Sequence, residues 1–348
     1  MLQLAYRGGG SLAVEDAPAP EPRAGEVRVR VHSTGVCMSD VYGVAGVNGR
    51  RDAVLADGGT LVMGHEVVGH VEACGPGVSD LVPGTAVAVD PIVGCGSCVH
   101  CRAGEENLCA QRTIHGCTPL AAGGYAEAVV VPRRKAHPLP EGTPIEVGAL
   151  VEPLSVGARG VRLAAPASSD KVLVIGGGIV GIGAALAARR RVGDAERVLV
   201  LEPRAERREL CARLGLRAAA PQCALDSAER FDVALDCVAR PETFATAVRA
   251  VRPQGLVVLV GIWEDEIPLP VSAVVWNETR ITGSFGYSDA DFADVTAWVG
   301  GGSAGDLAAL VQHRVGFDGL IDVFSAYADG SLTAVRTLFQ PHLQQEPV

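Results

Sequence analysis

The sequence predicts an α/β fold in two parts, a β-rich domain followed by a doubly wound parallel sheet. Three observations lead there. The chain has 348 residues, more than one ordinary core of roughly 150 residues accommodates. Its first part is a series of short alternating runs split by Gly and Pro, the pattern of half-buried strands. From Lys171 onward strands alternate with helices, which implies βαβ units. The expected division is 1–153 together with 290–348 for the β-rich domain, and 154–289 for the parallel sheet.

Within the first part, Glu26–His32, Glu66–Ala73, Thr85–Asp90 and Tyr125–Val131 read as strands. In the second, strands fall at Val172–Ile175, Val198–Leu201, Val233–Asp236, Leu256–Val260 and Ile281–Gly283. Ile179–Arg191 and Ala205–Leu214 carry helical spacing between them. After Phe285 the rhythm fades. A helix near Asp291–Val299 and the segment Leu320–Ala328 are expected to return to the first domain.

Composition narrows the function. Apolar residues make up 48% and aromatic residues only 4%, so the core is aliphatic and the helix–sheet contacts are close. A net charge of −10 disfavours nucleic acid or an anionic membrane as partner, since both require a basic face. No apolar run reaches the ~20 residues of a membrane span. Met1–Tyr6 runs into Gly8-Gly9-Gly10 without a secretory pattern. A cytoplasmic protein is expected, and its ten cysteines then point to metal or free thiols rather than disulfides.

Val172–Ile175 leads into Gly176-Gly177-Gly178-Ile179-Val180-Gly181 and a helix of small residues. This is G-x-G-x-x-G in the strand–turn–helix setting of a Rossmann dinucleotide site. Gly176 permits the tight turn, Gly178 admits the pyrophosphate to the backbone, and Gly181 allows close helix packing. The N–H groups at the helix start, from Ile179 and Val180, meet the phosphate charge. The second strand ends in Glu202, 21 residues past Gly181. A carboxylate there accepts from both ribose hydroxyls and repels a 2′-phosphate, which favours NAD over NADP. Arg204, Arg207 and Arg208 follow closely and are groups that could receive such a phosphate.

Cys95-x2-Cys98-x2-Cys101-x7-Cys109 is the strongest local signal, four thiols within 15 residues of a Gly-rich loop. Such a set closes around one tetrahedral Zn²⁺ and leaves no position for substrate, so it reads as structural. Disulfides and an iron–sulfur cluster are the alternatives. A second set is dispersed: Cys37, His65 with Glu66, and Glu152. One Cys, one His and one carboxylate suit an open catalytic zinc, although spacing alone favours a buried Cys37 and a core His65.

In this order the motifs resemble the zinc-containing medium-chain alcohol dehydrogenases, most closely the butanediol, sorbitol and threonine (polyol) dehydrogenase branch. The resemblance runs through Gly64-His65-Glu66-x2-Gly69, the four-cysteine loop, Gly123-Gly124-Tyr125-Ala126-Glu127 and Glu152-Pro153-Leu154-Ser155-Val156. It continues through the glycine turn, Glu202-Pro203 with Arg207-Arg208, and the late His313-Arg314…Phe317-x6-Phe324.

The resemblance implies a GroES-like catalytic domain and a Rossmann NAD-binding domain. It implies Cys37, His65 and Glu152 as catalytic zinc ligands, with Glu66 beside the metal and a ligand itself in some relatives. Asp40 is implied to orient a ligand, and Ser39 to hydrogen-bond the substrate oxygen and begin proton removal. Backbone around Gly261, Ile262 and Trp263, and around Ser284, Phe285 and Gly286, is implied to hold the nicotinamide carboxamide. The implied reaction is reversible oxidation of a secondary alcohol (a diol, polyol or cyclitol) to a ketone by hydride transfer to NAD, in a dimer or tetramer. Tyr42–Leu61, Tyr287 and Trp263 are expected at the substrate pocket, with Arg50 and Arg51 more readily solvated than bound to substrate.

Three positions depart from the family pattern: Tyr42 where a histidine often ends a proton relay, Met38 for a glycine, and Ala239 for a glycine after the fourth parallel strand. A zinc-free quinone or enoyl reductase, or a non-catalytic NAD-binding protein, is the competing class. The former lacks both cysteine-containing sets.

Overall fold

The computed structural model describes residues 1–46, 55, 59–119, 121–222, 230–262, 266–301 and 305–343. Two compact units emerge: Met1–Glu152 with Phe292–Gly302 and Val311–Val348, and Pro153–Asp291 with Ser303–Leu310. The expected span 290–348 is therefore interrupted. Leu307 and Leu310 are buried, and Gly305 lies against Leu214, so this stretch packs with the second unit.

The first unit is built on a seven-stranded sheet. Strand β3 (Glu26–Gly35) pairs antiparallel with β5 (Glu66–Cys74), with β9 (Ala128–Pro132) and with β18 (Arg336–Phe339). β18 in turn runs parallel to β17 (Val311–Val315), while β6 (Ala86–Val89) and β10 (Ala136–Pro138) extend the other edge. A smaller sheet joins β1 (Leu2–Tyr6), β2 (Leu12–Asp16) and β4 (Leu61–Val62). Val27, Val29 and Val31 alternate inward along β3, as the two-residue period of a strand requires. The register pairs Gly35, the last residue of β3, with Glu66, the first of β5. Leu338 of β18 pairs with Gly35 as well. One end of the sheet thus collects Cys37, the neighbours His65 and Glu66, and Arg336 from three distant parts of the chain.

The second unit carries six parallel strands in the order β13-β12-β11-β14-β15-β16. They are β11 (Val172–Ile175), β12 (Val198–Leu201), β13 (Arg217–Ala219), β14 (Phe231–Asp236), β15 (Val251–Leu259) and β16 (Arg280–Gly283). Counted from β11 this is 3-2-1-4-5-6, whose switch point lies between β11 and β14. All four residues of β11 are buried, because a parallel strand is covered on both faces. Strand ends Ile175, Leu201, Asp236, Leu259 and Gly283 are in register, so the turns that follow share one edge. Helix Ile179–Val192 starts at Gly178 and stops at Gly193 in the left-handed conformation, φ 76°, with Arg189–Arg191 in its last turn where the helix dipole favours cations.

Several short strands, among them three in the two main sheets, were not read from sequence. β13, β17 and β18 are short, and β18 has all four residues buried, so no alternation announces it. Among the described residues no helix is long and apolar enough to cross a membrane.

Candidate functional site

Helix Met38–Val44 is capped by Cys37, whose sulfur accepts the Ser39 N–H at 3.5 Å. The Ser39 hydroxyl donates to the same sulfur at 3.2 Å and faces solvent. Across the sheet end, Gly64 has φ +94°, and a Cβ there would come within 2.8 Å of Tyr125 N and 2.9 Å of Thr34 Cγ2. Glycine therefore fixes how His65 and Glu66 enter β5. A Cβ on Gly35 would lie 1.8 Å from Glu66 Oε2, so the last residue of β3 leaves the space that this carboxylate fills.

Donor atoms of Cys37, His65 and Glu66 all lie within 4.8 Å of one another. His65 is 7% exposed and Glu66 fully buried. Neither Glu66 oxygen finds a partner with hydrogen-bond geometry, although Arg336 Nη1 forms an ion pair with Oε2 at 2.6 Å. A thiol, an imidazole and an under-satisfied buried carboxylate make the mixed donor set that zinc takes at open sites. Burial raises the Glu66 pKa, and the charges of Arg336 and His65 oppose the rise. Burial also pulls His65 toward its neutral form, but the negative fields of Cys117, Asp40 and Cys37 outweigh it and hold the pKa well above its ordinary value.

Glu152 is not among the donors that converge within 4.8 Å in the described residues. It sits in the first turn of the helix Val151–Ala164, buried, near enough for its charge to act on Arg336. The carboxylate gathered with Cys37 and His65 is Glu66, because strand pairing carries it there with its neighbour.

Behind His65, Asp40 Oδ1 lies 3.4 Å from Nδ1, and the Cys117 sulfur lies 3.6 Å from the same nitrogen. Tyr125 OH donates to Asp40 Oδ2 at 2.8 Å. Arg336, Cys117 and the Tyr125 hydroxyl were not reached from sequence. Tyr125 carried a signal in its glycine-flanked motif, whereas nothing local marks Arg336.

The four cysteines of residues 95–109 come together with their sulfurs within 4.8 Å. Cys95 and Cys101 sulfurs are 3.9 Å apart, against about 3.8 Å for the edge of a zinc–sulfur tetrahedron and about 2.05 Å for a disulfide. Cys101 N–H donates to the Cys98 sulfur at 3.4 Å, and Gln111 N–H to the Cys109 sulfur at 3.4 Å. Hydrogen bonds from Ser97 lower the Cys95 thiol to about 6, while burial and the neighbouring thiols push Cys101 up to about 12.

In the second unit the glycine turn is tight. Gly176 has φ +103°, and a Cβ on Gly181 would be 1.8 Å from Gly176 O. Open space surrounds the missing Cβ of Gly178, as an approaching pyrophosphate requires. Gly177 is the crowded member: its Cβ would lie 2.9 Å from Glu202 Cγ. Its N–H donates to Glu202 Oε2 at 2.8 Å, while Arg204 N–H donates to Oε1 at 3.0 Å. Arg208 is engaged by the carbonyls of Glu202 and Pro203. Arg207 is half-buried on the following helix.

Gly261 N–H donates to Asp236 O, and Ser284 N–H to Leu259 O, placing both on the edge of strand ends. Ser284 Oγ is buried without a hydrogen-bond partner. Ile262 is 67% exposed and Phe285 half-buried. Tyr287, expected to line a pocket, is 1% exposed and belongs to the core. Trp263, Arg50 and Arg51, with most of the expected pocket segment Tyr42–Leu61, lie outside the described residues. Ala239 holds φ 57°, the left-handed conformation in which a glycine is unstrained.

Comparison with known proteins agrees with this architecture. The profile of the alcohol dehydrogenase GroES-like domain matches residues 23–141, and that of zinc-binding dehydrogenases matches residues 180–300. A sorbitol dehydrogenase of Arabidopsis thaliana is 30% identical over 95% of this chain and 93% of its own. A zinc-binding dehydrogenase of Sinorhizobium meliloti 1021, bound to NADP, superposes with TM-score 0.87 at 26% identity, covering 98% of this chain and 99% of the other. A short chain alcohol dehydrogenase of Escherichia coli CFT073, complexed with NADH, gives the same values. Full-length likeness of this degree, on a GroES-like domain joined to a Rossmann sheet, makes the chain a member of the zinc-containing medium-chain alcohol dehydrogenase family.

Proposed function

We propose that this protein is a zinc-dependent, NAD-linked dehydrogenase that oxidises a secondary alcohol of the diol, polyol or cyclitol class to a ketone, reversibly. The observation that carries the reading is the convergence of Cys37, His65 and Glu66 at one sheet end. The first unit then acts as the catalytic domain and the second as the nucleotide domain.

Cys37, His65 and Glu66 would hold a zinc ion with one position left open to the alcohol, and the ion would supply Lewis acidity that makes an alcohol easier to deprotonate. Glu152, expected as a ligand from the resemblance, stands outside this set. Cys95, Cys98, Cys101 and Cys109 would hold a second, structural zinc. NAD supplies the hydride acceptor. Ser39, solvent-facing and 3.2 Å from the Cys37 sulfur, is positioned to accept the alcohol proton. Tyr42 follows one helical turn later, where the family often carries the histidine that ends a proton relay, so the onward route of the proton from Ser39 is not assigned to a residue. Glu202, anchored through both oxygens, accepts from the adenosine ribose and repels a 2′-phosphate. Gly178, Ile179 and Val180 at the helix start receive the pyrophosphate, and the Ser284 hydroxyl and nearby backbone hold the carboxamide.

The reading includes assembly as a dimer or tetramer. Val271, Val275 and Trp276, the last 87% exposed, beside the outer strand β16, are where an apolar contact between copies belongs. Sedimentation of wild type and Trp276→Glu reads this out: an unchanged mass moves the contact elsewhere.

Absorbance at 340 nm with NAD⁺ over a panel of diols, polyols, cyclitols and secondary alcohols, with and without chelator, tests the activity. Chelator-sensitive turnover of one class establishes it. Unchanged turnover in Cys37→Ser removes the catalytic-zinc assignment, and silence of zinc-loaded, NADH-binding protein toward alcohols and ketones removes the enzyme.

A further inference from the structure

We propose that Tyr125 is a positioning residue for the metal site, fixing His65 through Asp40. The inference rests on the reading above and extends it to a side chain that touches neither donor set.

The His65 ring has two polar neighbours competing for one nitrogen. Asp40 Oδ1 lies 3.4 Å from Nδ1 and the Cys117 sulfur 3.6 Å from it. Neither distance is that of a strong hydrogen bond, so the ring's orientation depends on how firmly Asp40 is aimed. A carboxylate rotates easily about its last torsion, a broad two-fold well. Tyr125 removes that freedom by holding the other oxygen, Oδ2, at 2.8 Å. Gly35 O lies 3.1 Å from the same hydroxyl. With one proton to give, the phenol favours the nearer, charged acceptor.

The tyrosine is itself immobile. It is fully buried, with its ring edge-on to Phe324 and Phe339 at 5.8 Å from each. Its N–H donates to Met63 O, its carbonyl accepts from Leu4 N–H, and its backbone abuts Gly64. The residue that sets Asp40 is thus anchored to the segment that delivers His65. A phenylalanine would keep all of this packing and lose only the hydroxyl. Groups that orient a ligating histidine typically change metal affinity by about 10–100-fold when removed.

Two readouts on the intact protein test it, using zinc and then cobalt(II) as probes. In Tyr125→Phe, chelator competition should show zinc at the Cys37 site bound about tenfold more weakly. The cobalt–thiolate band in the spectrum relative to Cys37→Ser should shift, while zinc at the four-cysteine loop is unaffected. Tyr125→Phe on top of Asp40→Asn should add little, because both act on one chain of contacts. Unchanged zinc affinity and cobalt spectrum in Tyr125→Phe, or full additivity with Asp40→Asn, overturns the proposal. A wild-type protein with no Cys37-dependent cobalt band overturns the metal-site reading instead, so the two failures are told apart.

Discussion

Arg336 Nη1 lies 2.6 Å from Glu66 Oε2, with both side chains buried. The same nitrogen donates to Val36 O at 2.8 Å. The guanidinium therefore cancels a carboxylate that has no water to solvate it, and ties β18 to the chain entering Cys37. Removing one partner of a buried pair leaves the other charge unsolvated, which typically costs about 3–5 kcal/mol.

Arg336→Met is accordingly expected to lower stability by about 3 kcal/mol or more in metal-free protein. The loss should shrink when zinc is added, because a cation beside Glu66 replaces the missing charge. Urea denaturation with and without zinc measures both. A loss below about 1 kcal/mol in metal-free protein, the range of exposed pairs, would show that Glu66 does not depend on Arg336.

On the proposed reading, Glu202 sets the preference for NAD over NADP. Its oxygens are held by Gly177 N–H and Arg204 N–H, so it cannot turn aside for a 2′-phosphate, and Arg208 is already engaged by carbonyls. Glu202→Ala should weaken NAD use and lower the NAD-to-NADP ratio of kcat/KM by about tenfold, equivalent to about 1.4 kcal/mol. Steady-state kinetics with both cofactors reads it out. A wild type that already prefers NADP reverses the assignment.

How much of this was visible beforehand depended on the range of each interaction. The ends of β11 and β12 were legible because a strand buried on both faces is an unbroken apolar run bounded by Gly or a charge. The four-cysteine loop was legible because its donors are close in sequence. Cys37, His65 and Glu152 had meaning only through family resemblance, and that resemblance did not settle which carboxylate stands with Cys37. Strand register did: Gly35 opposite Glu66 puts that side chain at the site. Arg336 was invisible because its role depends on β18 pairing with β3, far away in the chain. Gly177 looked like a spacer between the motif glycines, and only the contact with Glu202 shows why no side chain fits there.

The cysteine loop should stabilise the protein rather than take part in chemistry. Glu106 links it to the sheet: its carboxylate accepts from Gly94 N–H at 2.9 Å and pairs with buried Lys135 at 3.2 Å, which also holds Asp90. Cys98→Ser is expected to reduce zinc from about two to about one per subunit and to lower the thermal midpoint. Activity per folded molecule should persist. Elemental analysis beside calorimetry checks this, and an unchanged metal content would mean that the loop holds no zinc.

Glu146 gives a pH-dependent contribution whose sign follows from its partner. Hydrogen bonds from Arg314 Nε at 2.8 Å and Nη2 at 2.5 Å hold its pKa below the usual glutamate range, against a smaller opposing effect of burial, with Gln340 assisting. A folded pKa below the unfolded value of about 4.3 means the pair stabilises the protein fully above that pH. The contribution disappears as pH falls through the folded pKa. Arg314 is 41% exposed, so solvent screening limits the pair to about 1 kcal/mol or less. Wild type should therefore melt about 1 °C above Glu146→Gln at pH 7, with the gap closing below about pH 4. Melting curves of both proteins between pH 7 and pH 3 measure it. A gap that stays constant to pH 3 would assign the effect of Glu146 to packing, and no gap at pH 7 would show that the Arg314 pair contributes nothing to the fold.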